Sequence, residues 1–143
     1  MKDLEQAKCV LEKESCTCVL CREEVIYKSH RRGVAPLLQL LDEGADVAGA
    51  AAADRVVGKA TAFLYGLLGV KAVYARVMSV PAAQVLERLG INASWGALTA
   101  GIQNRQKDGP CPMEYATRDS ATPEEALQAI RQTLARLQQK ENG

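Results

Sequence analysis

Aromatic side chains are scarce in this sequence: one Trp, one Phe and four Tyr among 143 residues, 4% in all. That is too few for a platform on which nucleic-acid bases stack. Histidine is scarcer still, which leaves His30 as the one imidazole that could serve a catalytic site. Neither sign of charge is in excess, with 18 Lys and Arg against 17 Asp and Glu. A formal charge of +1 supplies no attraction toward nucleic acid or an anionic membrane, so neither is expected as a partner. No run approaches the ~20 apolar residues that span a bilayer. The opening Met1-Lys2-Asp3-Leu4-Glu5-Gln6 carries acids and no apolar stretch, unlike a secretory signal. A cytoplasmic setting is therefore expected. The five cysteines, an odd number, read there as reduced thiols rather than a disulfide framework.

What remains is the composition of one folded domain, residues 1–143, with 48% hydrophobic and 24% charged side chains. Leu4, Ala7, Val10 and Leu11 recur at helical spacing and predict an opening helix over 2–14. Thr17–Arg22 and Glu24–Ser29 form two β-type runs with almost nothing between them, a hairpin turning near Arg22-Glu23. A helix follows over Gly33–Glu43, with Pro36 in its first turn and Gly44 as its stop.

From there the pattern alternates. Asp46–Ala53 is read as a strand of small residues. Arg55–Leu68 is read as a helix capped by Asp54 and closed by Gly69. Lys71–Val77 is a strand, Val80–Leu89 a helix capped by Ser79, and Asn92–Ala97 a strand. Alternation of this kind means parallel βαβ units. Residues 99–121, punctuated by Gly101, Gly109, Pro110 and Pro112, read as irregular. Thr122-Pro123-Glu124-Glu125 is a capping box that opens a closing helix.

This order resembles the three-layer α/β/α cytidine-deaminase-like fold, a mixed sheet with an N-terminal hairpin and parallel βαβ units. More closely, the chain resembles an uncharacterised bacterial and archaeal family, a domain of unknown function with that fold and without its zinc site. The residues that carry the resemblance are Arg32-Gly33-Val34-Ala35-Pro36-Leu37-Leu38, Ala53-Asp54-Arg55-Val56-Val57-Gly58-Lys59-Ala60, Asn104-Arg105 and Cys111-Pro112-Met113-Glu114. The resemblance runs from about residue 17 to the final helix. Zinc deaminases place His-x-Glu or Cys-x-Glu at one helix start and Pro-Cys-x-x-Cys at the next. Here the first position reads Ser29-His30-Arg31-Arg32-Gly33 and the second Ala53-Asp54-Arg55-Val56-Val57. A catalytic zinc needs about three protein ligands. The resemblance therefore implies a deaminase-like frame with no metal, no cofactor and no hydrolytic deamination.

Several residues are candidates for a site. A helix start after a parallel strand is a ready anion site, so Asp54, Gly58 and Lys59 could hold a phosphate. The plainer reading is an Asp cap, a Gly that lets helices pack and a solvated Lys; the resemblance tips the balance toward a ligand. The stretch also approaches a P-loop, but Ala53 and Ala60 stand where Gly and Ser/Thr are required, which excludes an NTPase.

Cys111 lies between Pro110 and Pro112, and Arg105 or Lys107 would favour its thiolate. It reads either as a nucleophile for group transfer or as a buried loop thiol. Cys16, Cys18 and Cys21 look metal-like, yet a strand turns Cys16 and Cys18 one way and Cys21 the other. The expectation is a small anionic ligand, a nucleotide or nucleotide sugar, at the Asp54–Lys59 helix start. Arg32, Asn104, Arg105 and Cys111 would approach from neighbouring loops. The alternatives are a Cys111-dependent enzyme and a non-catalytic regulatory or scaffold module. Deaminase-like folds often assemble, so the resemblance also implies a homo-oligomer.

Overall fold

The computed structural model describes residues 2–102 and 111–142. A mixed five-stranded sheet has the order β2-β1-β3-β4-β5, and six helices accompany it among the described residues. The fold class is α/β. Strands β1 (Cys18–Arg22) and β2 (Glu24–Ser29) form the hairpin, and Glu23 makes its turn at φ +69°. β1 also runs antiparallel to β3 (Ala51–Val57), and β3, β4 (Ala72–Ser79) and β5 (Asn92–Thr99) are parallel to one another.

The sheet has unequal faces. One is covered by α1 (Lys2–Lys13), whose Ala7 and Leu11 pack on Cys16, Val19, Cys21 and Ala53. The other carries α2 (Ala35–Asp42), α3 (Lys59–Leu68) and α4 (Val80–Arg88) over the larger core. α3 is buried nearly all round, because α6 (Pro123–Asn142) lies against its outer side with Ala126 and Ile130 fully enclosed. Each large side chain so enclosed, such as Phe63 or Leu64, contributes about 1.5–3 kcal/mol. Ala51, Ala52 and Ala53 have no exposed surface, since elements press on the strand from both faces.

The two sheet edges differ. β2 exposes the charges of Glu24 and Lys28, whereas β5 has no charged residue and leaves Trp95 and Leu98 more than 40% exposed. Charge on an edge strand discourages pairing with other chains, and β5 lacks that protection.

The capping signals at Ser79 and Thr122 are realised. Ser79 Oγ accepts from Ala82 N at 3.1 Å, and Thr122 Oγ1 accepts from Glu125 N at 3.2 Å. Four expectations are corrected. The strand expected at Asp46–Ala53 begins at Ala51, because 47–50 is a turn with Gly49 at φ +78° and Ala50 N bonded to Val47 O. It then continues to Val57, because β-branched Val56 and Val57 favour extended backbone.

The helix expected from Arg55 therefore starts at Lys59, and Asp54 is a strand residue rather than its cap. Within 99–121, Pro112–Ala116 forms the short helix α5. Finally, Cys16 precedes the strand and shares the α1 face with Cys21, while Cys18 faces α3. The three thiols still divide between two faces, in a different pairing.

Candidate functional site

The carboxyl ends of β1's partner β3 and the starts of α2 and α3 converge on a cavity of about 380 Å³. That is the size of a small-molecule pocket. Thr17, Cys18, Asp54 and Thr61 line it, with Arg31, Arg32 and Gly33 from the β2–α2 loop. Ile102, Cys111, Met113 and Glu114 close it from the C-terminal side. Of the residues singled out in the sequence, Arg32, Asp54, Gly58 and Cys111 thus meet around one space. Asn104 and Arg105 lie outside the described residues, as does Lys107. His30 is exposed and does not line the cavity.

Asp54 is the most unusual group here. Tyr65 from α3 donates its hydroxyl hydrogen to Asp54 Oδ2 at 2.7 Å, and Cys18 Sγ sits 3.3 Å from the same hydroxyl. The Tyr65 hydrogen is committed to the carboxyl, so the thiol donates to the tyrosine oxygen, and the chain ends on Asp54. Burial pushes the Asp54 carboxyl up to about 6, against the opposing pull of the Tyr65 bond. Burial likewise pushes the Cys18 thiol and the Tyr65 hydroxyl well up, reinforced by the charge of Asp54. Neither thiol nor phenol is an anion at neutral pH. Tyr65 has no exposed surface, and this chain is what satisfies its hydroxyl.

The start of α3 is built differently from the sequence expectation. Gly58 is the N-cap residue and offers no side chain; Lys59 N instead donates to Glu114 Oε2 at 2.9 Å. The cap of α3 is thus a carboxylate supplied from α5, 55 positions down the chain. Gly58 is bare for this reason: a Cβ there would stand 2.7 Å from Glu114 Cδ and 3.1 Å from Ile102 Cγ1. Glu114 Oε1 is buried and has no hydrogen-bond partner among the described residues, and burial raises the carboxyl from its ordinary value. The Lys59 side chain turns away from the cavity and donates to Arg118 O at 2.8 Å. Lys59 therefore fastens the α5 segment to α3 instead of facing the cavity.

Three guanidinium groups border the cavity. Arg55 is spent on backbone carbonyls, with Nε to Cys16 O at 2.8 Å and an Nη to Ser15 O at 2.7 Å. Arg31 donates to Gln39 Oε1 at 3.0 Å. Arg32 is exposed, and Gly33 beside it turns the chain at φ +68°. None of the three forms an ion pair among the described residues.

The donor set does not fit zinc. The two helix starts read Gly33-Val34-Ala35 and Gly58-Lys59-Ala60, without a thiol, imidazole or carboxylate between them. Among the described residues no three His, Cys, Asp or Glu side chains are grouped to share an ion.

A family model described as a domain of unknown function, DUF1893, matches residues 6–134. The chain belongs to the DUF1893 family. Its fold is that of a DUF1893 family protein from Thermotoga maritima, solved as a crystal structure. The TM-score is 0.85 at 22% sequence identity, over 92% of this chain and 89% of that one. A dCMP deaminase from the cyanophage S-TIM5, in its apo form, is a weaker likeness. There the TM-score is 0.46 at 13% identity, over 66% of this chain and 94% of that one. No curated protein matches the chain. For this DUF1893 protein the family brings a fold, and function must be argued from the cavity itself.

The sequence missed two of its principal groups. Tyr65 read as one more residue of a helix, and Glu114, within the Cys111–Glu114 motif, as a polar ligand contact or a cap or turn residue with no partner assigned. The bare Gly58 in a helix start was the one available sign of the Glu114 contact.

Proposed function

We propose that the cavity binds a small anionic ligand of nucleotide or nucleotide-sugar size. The observation that carries this reading is the pair of guanidiniums, Arg31 and Arg32, at the cavity rim, neither neutralised by a carboxylate among the described residues. Guanidinium is the group best suited to phosphate and carboxylate, which it meets with paired donors. The ligand's anionic group lies against Arg32 and Arg31 at the exposed rim. It does not lie on the first turn of α3, where Glu114 already meets the Lys59 N–H.

A second reading is favoured by Cys111, whose thiol borders the same cavity as Asp54. A ligand held there would be within the reach of a nucleophile, which suits group transfer.

Competition with alkylation tests the first reading. Cys111 is half-buried at the cavity and Cys9 is exposed on α1, so Cys9 is an internal reference for iodoacetamide. Pyrophosphate or ADP at millimolar concentration is expected to slow labelling of Cys111 severalfold and leave Cys9 unchanged. Arg32→Ala is expected to abolish the protection. Cys111 labelling that no such anion alters would sink the reading.

A further inference from the structure

We infer that Asp54 selects for a ligand that brings an N–H donor to the inner end of the cavity. The molecule bound is then bipolar, with an amine, amide or amidine nitrogen at one end and an anionic group at the other. This rests on the anion reading above and adds the chemistry of the opposite end.

The argument starts from which groups still need a partner. Asp54 borders the cavity, and its Oδ2 is engaged by Tyr65. Beyond that the carboxyl meets only backbone N–H groups among the described residues, Arg55 N and, at a long 3.4 Å from Oδ1, Val56 N. An ionised carboxyl is an acceptor alone, with about four lone-pair positions to fill. No cation pairs with Asp54 among the described residues, because the guanidinium of its neighbour Arg55 reaches to Ser15 and Cys16 on the α1 side. Tyr65 already gives its hydrogen to Asp54, and Cys18 gives its own to the Tyr65 oxygen, so neither can supply more.

Glu114, the other acid at the cavity, is held by Lys59 N and donates nothing. The inner wall thus offers acceptance without charge compensation, while the rim offers the guanidiniums of Arg31 and Arg32. A purely anionic molecule matches the rim and leaves Asp54 opposed. A molecule with a donor at its far end satisfies both. The rise of the Asp54 carboxyl is what a buried acid shows when such a partner is lacking.

The test compares two series of probes on the full chain: alkyl phosphates of two to five carbons and the ω-aminoalkyl phosphates of the same lengths. The two series share the anion and differ only in the ammonium group. Calorimetry or equilibrium dialysis is expected to show that, at one chain length, the amino compound binds at least about tenfold tighter. This is the scale of a hydrogen bond between charged groups. In Asp54→Asn, which keeps an acceptor for Tyr65 and loses the charge, the preference should shrink to within about twofold.

If alkyl phosphates bind and no amino compound gains more than twofold in the wild-type protein, the inference is overturned and the anion reading stands. If neither series binds, both fall together. The wild-type comparison decides the matter even if Asp54→Asn does not fold.

Discussion

The two halves of strand β3 obey different demands. Ala51, Ala52 and Ala53 lie between α1 on one face and α3 on the other, with no surface exposed. Asp54, Arg55 and Val56, the next three residues, carry an enclosed acid, a guanidinium and a side chain 45% exposed. The first half is held to small size by its neighbours. In the second half size is free and chemistry is not. One strand thus serves as packing at its start and as a cavity wall at its end, where the open carboxyl ends of a parallel sheet leave room for a ligand.

The largest effect should come from violating the packed half. Ala52→Leu adds three carbons where no space exists, and a cost of about 1–3 kcal/mol is expected. Val56→Ala, in the open half, should change stability by less than about 0.5 kcal/mol. Equal losses in urea unfolding would erase the distinction between the halves.

Gly58 gives an intermediate effect. Its φ of −100° suits any residue, so damage from Gly58→Ala must be steric, through expulsion of the Glu114 carboxylate. A loss of about 1–2 kcal/mol is expected, close to that of Glu114→Ala, which removes the same cap. Because the two act on one contact, the double variant should be little worse than either alone. Strict additivity would mean that the contact does not cap α3.

The remaining effect is electrostatic and appears as a pH profile. Asp54 has a folded value of about 6 against an ordinary 3.8, so between these the folded state holds the proton more tightly than the unfolded one. Stability from this group is therefore complete below about pH 4 and is lost as pH rises through 6. Asp54→Asn removes the dependence. Relative to wild type, the variant should be similar near pH 4 and more stable by about 2–3 kcal/mol near pH 7. Asp3, which Lys71 holds below its usual range, tilts the opposite way in both proteins and cancels in the difference. A difference that stays flat from pH 4 to 7 would show that Asp54 is not enclosed as described.

Most of the frame was legible from the chain. The helix periodicities, the Ser79 and Thr122 caps and the hairpin at Glu23 are local signals, and local physics decides them. Four site candidates, Arg32, Asp54, Gly58 and Cys111, also meet at one cavity. The errors at the site share a cause: residues satisfied by distant partners. Asp54 looked like a cap because Asp before a helix usually is one, and its true partner, Tyr65, lies on another element. The real cap came from Glu114, which no local rule connects to Lys59. Lys59, expected to face a phosphate, is tied to Arg118 O for the same reason.

That long-range cap bears on how the chain is made. Synthesis delivers the N-terminal part first. When α3 leaves the ribosome, neither Glu114 nor α6 yet exists. Its first N–H groups face water, and its outer apolar side has nothing to lie against. The sheet can begin to assemble on α1, but the most buried helix stays half-dressed until Glu114 and α6 arrive. A nascent chain stalled or clipped before residue 114 would present that surface to chaperones and proteases, although every strand of the sheet had already been synthesised.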